Sequence, residues 1–515
     1  MLWHLRAICP VLLAFAASDG VFAQLPVGGG GAGGSARPIA LPQSGRMSPA
    51  GSASMQQSTS GAGVDTVNTS IQVGGDLQGS VPGAAPAGAV TLTLADAVRR
   101  GLETNLGLIA AGNSSGAAAA QRIQALSALL PNISANASET VTQVNLAAYG
   151  FQFKLPPGVN FSIPSVVGPF SYSQLGATLS ESVYDPVARR NWKATKELES
   201  AAQLSAKDAR ELVVLAVAGA YMQTVATGAR IDSQRAQVTN AQAVYDQAQI
   251  RKTAGTNARI DVMRTLVELQ TQKQRLNSLE SDFRKQKLAL ARMIGLPLDR
   301  DLSLSEPLTS GTVAVPDPGQ AVKDAFEHRS DLKAAEAQLR AAERALDAAH
   351  AERLPTVSLN GNYGVLGPNP TQTHGVFTVT GGVSVPIWQG GRIKGDVQQA
   401  DATVRQRQAE FADQRGRVEQ EVRTAVIELE TAAGQVQLAE SNRGYAAETL
   451  REAQDRFHLG VATTVEVVQA QEQVAAAESD FVSGLLSFDL ARLNLSRATG
   501  KAESTLPDLL KGTRP

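Results

Sequence analysis

The stretch Arg456-Phe457-His458-Leu459-Gly460-Val461-Ala462-Thr463-Thr464-Val465-Glu466-Val467-Val468-Gln469-Ala470 joins two helical patterns through one glycine. Upstream, Val418, Val422, Ala425, Leu429, Ala432, Val436, Ala439, Arg443, Ala446, Leu450, Ala453 and Phe457 follow one another in alternating steps of four and three. That is a coiled-coil heptad, with Arg443 its single misfit. Downstream, Val474, Ala477, Phe481, Gly484, Phe488, Ala491, Leu495 and Ala498 form a second seam. Glycine takes positive φ without a Cβ penalty, so Gly460 is where the chain reverses. Alternation of large and small residues lets the two helices approach closely.

The same turn occurs earlier, as Arg251-Lys252-Thr253-Ala254-Gly255-Thr256. A second pair of matching segments precedes both turns. Leu129-Leu130-Pro131-Asn132-Ile133-Ser134 corresponds to Arg353-Leu354-Pro355-Thr356-Val357-Ser358. The prolines are 224 positions apart and the glycines 205, so the first copy is longer between these marks. The surplus falls near residues 150–170, a Pro/Gly/Phe-rich stretch. The folded part is thus two repeats, residues 91–310 and 311–505, each a helix, a β-hairpin and a helical hairpin.

The hairpins are legible by period two. Val357, Leu359, Gly361, Tyr363 and Val365 alternate with Ser358, Asn360, Asn362 and Gly364. Phe377, Val379, Gly381, Val383, Val385 and Ile387 alternate with Thr378, Thr380, Gly382 and Ser384. The first copy is weaker: Ile133, Ala135, Ala137 and Val141, then Leu175, Ala177, Leu179 and Val183, with Glu139 and Glu181 interrupting. The helices are long. Residues 391–460 correspond to roughly 105 Å at 1.5 Å per residue. Residues 318–353 and 463–499 are each about half that, so two short helices end to end match one long one.

The ends read differently. Arg6, the apolar stretch Ala7 to Ala17 and Val21-Phe22-Ala23 form a secretory signal, residues 1–23. The one cysteine, Cys9, lies inside it, so neither a disulfide nor a lipid-anchoring thiol is expected afterwards. Residues 24–90 are rich in Gly, Ala, Ser and Pro and read as a disordered leader. Residues 506–515 form a tail. The longest apolar run, Leu212 to Met222, is short of the roughly 20 residues of a spanning helix.

Lys plus Arg number 47 and Asp plus Glu 48, a balance without bulk attraction for nucleic acid. His328, His350, His374 and His458 are dispersed, with no metal-ligand spacing. No phosphate loop or nucleophile elbow is present. The pattern implies no cofactor and no enzyme.

The helices use their apolar seams on each other, which leaves the hairpins' apolar faces for lipid. Tyr184, Tyr363, Phe377 and Trp388 are placed as membrane-interface aromatics. Four strands cannot close, and open edges are not tolerated in lipid. Two chains would supply eight strands with a filled interior; three supply twelve and leave a lumen.

With the motif Arg456-Phe457-x-x-Gly460-x-x-Thr463-x-x-Glu466-Val467-Val468-x-Ala470, the Leu-Pro strand openings and Val385-Pro386-Ile387-Trp388-Gln389-Gly390-Gly391, the chain resembles TolC-like outer-membrane factors. The resemblance spans about residues 92–501. It implies an α+β membrane protein: a homotrimer with a shared twelve-stranded β-barrel continuous with a long α-helical coiled-coil tunnel through the periplasm. It further implies a passive exit duct for efflux or type I secretion, placed in a Gram-negative outer membrane. The implied partners are a periplasmic adaptor protein and an inner-membrane transporter of RND or ABC type.

The resemblance also assigns roles at the turns. Gly255, Thr256, Gly460, Val461, Ala462 and Thr463 would dock the adaptor. Glu466, with Asp261 as its counterpart, would line a periplasmic gate. Gln469 stands where a second acid often recurs. Phe457 and Ala462 stand where family members carry a tyrosine and an arginine that lock the tip. A different class fits the same helices: a periplasmic or surface coiled-coil interaction protein without channel activity, which predicts a water-soluble species.

Overall fold

A computed structural model describes residues 51–60, 66–83, 90–150, 164–255, 258–306, 308 and 315–505. The signal segment, the tail, Thr256 and most of the enlarged first hairpin loop lie outside the described residues. In chain order the elements are β1 (Gly51–Ser60), β2 (Thr66–Gly75), β3 (Val90–Leu92), α1 (Leu94–Thr104), α2 (Leu106–Ser127), β4 (Asn132–Asn145), β5 (Val166–Tyr184), α3 (Pro186–Thr253), α4 (Arg259–Met293) and β6 (Leu302–Leu304). Then follow α5 (Pro318–His328), α6 (Ser330–Ala351), β7 (Thr356–Gly367), β8 (His374–Ser384), α7 (Arg392–His458) and α8 (Thr464–Ala498).

The repeat is present in register: α1 and α5, α2 and α6, and the starts of β4 and β7 are each displaced by the 224 positions that separate the prolines. The repeats are not separate bodies, however. One unit is a sheet formed from residues 132–182 and 358–382. Its order, β4-β5-β7-β8, takes one hairpin from each copy. β4 and β5 are antiparallel, with Ile133 opposite Leu179 and Ala137 opposite Leu175, so the expected apolar positions share a face. A Cβ at Gly364 would lie 2.4 Å from the Leu175 carbonyl oxygen, so β5 and β7 pair closely only with glycine there.

The second unit is helical. α3 and α7 have 68 and 67 residues, matching the expected long helices. The heptad seam is real: Val418, Val422, Ala425, Leu429, Ala432, Leu450 and Phe457 are buried on α7. On α8, Gly484, Phe488, Ala491 and Ala498 are buried in turn. Arg443, the misfit, is accommodated by Glu478 at 2.8 Å and by the Phe481 ring at 4.8 Å. The largest core gathers Leu77, Leu92, Val213, Val217, Tyr221, Leu290 and Leu490. Tyr221 Oη donates to the Leu92 carbonyl at 3.1 Å.

Three expectations change. The short segment 318–353 is not one continuous helix, and its repeat counterpart 94–127 is broken at the same place. Arg329 (φ −62°, ψ 123°) and its repeat counterpart Asn105 (φ −65°, ψ 130°) each interrupt one. Asn105 is fully buried and serves both sides of the break. Its Nδ2 donates to the Leu77 carbonyl at 2.8 Å and its Oδ1 caps α2 through the Gly107 N–H at 2.9 Å.

The leader is not disordered throughout. Residues 51–60 and 66–75 pair as an antiparallel hairpin that packs on α8 and α3, and Leu77 anchors it at 2% exposure. The β-branched alternation of Val67, Thr69, Ile71 and Val73 is the local signal, hidden by the Gly/Ala/Pro composition around it.

α3 carries an 18-residue window apolar enough for a bilayer. Of that window 67% is buried inside the helical unit, which makes it a core segment.

Candidate functional site

The turn at Gly460 is built by hydrogen bonds the sequence dictates. Leu459 caps α7, Gly460 adopts φ +77°, its N–H donates to the Phe457 carbonyl and the Val461 N–H to that of Arg456, both at 3.0 Å. This double closure is a Schellman turn, in which glycine avoids the left-handed penalty. Gly255 shares the left-handed φ, +76°, and one of these closures, donating to the Lys252 carbonyl at 3.0 Å.

The chain then re-enters helix by different means in the two copies. Thr463 forms a capping box: the Glu466 N–H donates to Thr463 Oγ1 at 3.4 Å, and the Thr463 N–H donates to Glu466 Oε1 at 3.1 Å. Arg456 Nη1 stands 3.8 Å from Glu466 Oε2. The Thr463 hydrogen bonds, helped by Arg456, hold the Glu466 carboxyl below its ordinary range. In the first copy Ala258 occupies the cap and supplies no side-chain bond. Asp261 instead lies 3.9 Å from Arg264. Gln469 is exposed and Ala462 is half-buried.

The two turns are joined. Arg251, at the end of α3, stacks 4.0 Å over the Phe457 ring and donates to the Phe457 carbonyl at 2.5 Å. Gln247 Nε2 is 3.0 Å from His458 Nδ1. Phe457 is therefore a buried ring, packed with Val244, Leu450, Val467 and Ala470. Around it Ile250, Leu459 and Val461 are 67%, 78% and 66% exposed, which leaves an apolar rim available to a partner. The structure brings Phe457 to Arg251. Its signal was the arginine repeated at the same place in both turns, Arg251 and Arg456.

The second candidate surface lies on the sheet and its flanks. Ile133, Val141, Leu175, Phe377, Val379 and Val383 are exposed on the strands. Tyr363 and Phe377 are 70% and 76% exposed. Tyr184 and Trp388, on the segments that lead into α3 and α7, are 48% and 82% exposed. Exposed large apolar side chains on the strands mark a membrane or protein contact.

Residues 321–501 match the family model for outer membrane efflux proteins. That stretch belongs to the family. Nodulation protein T of Rhizobium leguminosarum bv. viciae is 25% identical over 349 residues, 64% of this chain and 69% of its own length. The probable efflux pump outer membrane protein TtgC of Pseudomonas putida is 22% identical over 388 residues, 70% of this chain and 79% of its own. The Campylobacter jejuni CmeC outer membrane channel shares the fold, with a TM-score of 0.70 at 16% identity, over 88% of this chain and 98% of that one.

Proposed function

We propose that the chain is the outer-membrane subunit of an export system and forms a passive exit duct. The observation that carries this reading is the four-stranded sheet. Its strand faces expose large apolar side chains, and its outer strands β4 and β8 each pair on one side only. Lipid accepts the faces but not the open edges. Pairing β8 of one copy with β4 of the next removes every edge, and three copies give twelve strands around a lumen. The efflux-protein relatives support the same reading and place the chain in the outer membrane of a Gram-negative cell.

A duct without a phosphate loop needs a driving partner. We assign that work to an inner-membrane transporter of RND or ABC type, joined through a periplasmic adaptor that docks on the apolar rim at Val461, Leu459 and Ile250. Glu466 and Asp261 stand in the first helical turn after each tip glycine, where a ring of acids would favour cations. The mature protein in planar bilayers should pass stepwise current. Absence of conductance under all conditions, low pH and Glu466→Gln included, would overturn the proposal. A species soluble without detergent would point to a coiled-coil interaction protein instead.

A further inference from the structure

The break at Arg329 gathers charges that no turn or sheet requires. Arg329 is almost fully covered, at 3% side-chain exposure. It grips Asp331 with two nitrogens, Nε at 3.0 Å and Nη2 at 2.6 Å, and Glu421 of α7 with Nη1 at 2.5 Å. Gln414 of α7 adds a bond to Asp331 at 2.8 Å. All three nitrogens of that guanidinium are engaged.

The neighbouring guanidinium, Arg497 of α8, serves two acids of α3. Its Nη2 donates to Asp208 Oδ1 at 2.6 Å, and its Nη1 stands 3.8 Å from Glu211 Oε2, beyond a hydrogen bond. Glu211 Oε2, Arg497 Nε and Arg497 Nη1 are buried without a hydrogen-bond partner. Asp208 and Glu211 are one helical turn apart and 18% and 8% exposed. Two carboxylates thus share one cation where little water reaches them.

We propose that the Asp208–Glu211 pair takes up a proton, so that the seat of α8 on α3 responds to pH. A dry site with two acids and one guanidinium carries an uncompensated negative charge, and a proton is the smallest ligand that removes it. The other charged groups facing the pair are Asp331 and Arg329 from the helix break and Glu421 from α7. Further out, Lys501 pairs with Asp324 of α5 at 2.8 Å, and Arg210 with Glu503 at 2.7 Å. These two outer pairs are more exposed and clamp the turn after α8 independently of the proton.

Electrostatics supports the geometry. Burial raises both Asp208 and Glu211 above the ordinary carboxylate range, against the pull of Arg497. Asp331 behaves oppositely: burial pushes it up, but Arg329 outweighs that and leaves it low. A carboxylate raised in the folded state binds a proton more tightly than in the unfolded chain. Its stability contribution is largest at low pH and declines as pH rises through the folded value. The inference does not depend on the exit-duct reading.

The test is infrared difference spectroscopy of the full-length, detergent-purified chain, following the carbonyl stretch of protonated carboxyl groups from about pH 5 to pH 8. The expected result is a band that titrates away with rising pH, diminished in Asp208→Asn and in Glu211→Gln. Glu428→Gln is the control, since Glu428 is a separate half-buried acid, held by Asn494 at 3.1 Å and also raised by burial; it should remove only its own component and leave the one lost in Asp208→Asn and Glu211→Gln. In parallel, the apparent melting temperature of the wild type should fall as pH rises, and each variant should lose half or more of this slope. Should Asp208→Asn fail to fold, Glu211→Gln and the wild-type band decide the matter. A wild type without the band, or a band and slope unchanged in the variants, would overturn the proposal.

Discussion

Arg251 lies 4.0 Å over the ring of Phe457 and also donates to that residue's carbonyl oxygen, so one side chain ties the first helical turn to the second. The contact joins the two repeats where each reverses direction. In the lock position that family resemblance gives to a tyrosine, this chain has an aromatic ring without a hydroxyl, and the arginine uses the ring face and the backbone instead.

Arg251→Ala should therefore loosen the tip. A cation–π contact with a hydrogen bond contributes on the order of 1–2 kcal/mol. Hydrogen exchange at residues 456–462 should accelerate, and single-channel records should show longer or larger openings. Phe457→Leu should give a similar but smaller change, because it keeps burial and loses only the ring. Wild-type exchange and conductance in Arg251→Ala would remove the latch.

Thr463→Ala removes one half of the capping box while leaving the Glu466 charge. It should cost about 1 kcal/mol locally and raise exchange in the first turn of α8. Because the carboxyl of Glu466 is held low in the fold, its contribution is complete above the ordinary carboxylate value and is lost as pH falls through the lower folded one. Fraying of α8 should accordingly increase below about pH 4.5. Glu466→Gln should abolish that pH dependence, and with Asp261→Gln should lower cation selectivity.

Trp388 gives a direct view of the membrane reading. In a Trp192→Phe background it is the one tryptophan after the signal segment. Its 82% exposure predicts red-shifted emission in water, a blue shift on reconstitution and quenching by lipids brominated near the headgroup. Emission unchanged between detergent-free buffer and bilayers would count against an interfacial position.

Two further substitutions test the core. Leu77→Ala should lower stability by about 2–5 kcal/mol, as for other fully buried leucines, and should free the β1–β2 hairpin to proteolysis. Arg329→Met should cost about 3–5 kcal/mol, since it strands Asp331 among buried neighbours. Thermal unfolding of each variant at fixed scan rate measures both effects.

The sequence by itself determined the repeat, the heptad seams, the long helices, the positions of both turns and the period-two strands. Each follows from local spacing: seven-residue recurrence for α7, alternation for β7 and β8, and a glycine free of Cβ at 255 and 460. Tertiary structure alone decided the rest. It placed the two hairpins in one sheet, because strand partners are set by long-range pairing. It broke the short helices at Asn105 and Arg329, where buried side-chain partners outweigh helix propensity. It set Arg251 over the buried Phe457 ring, and it put Arg497 between Asp208 and Glu211. These contacts connect residues up to several hundred positions apart, and no spacing rule along a chain encodes which of its charges will share a dry site.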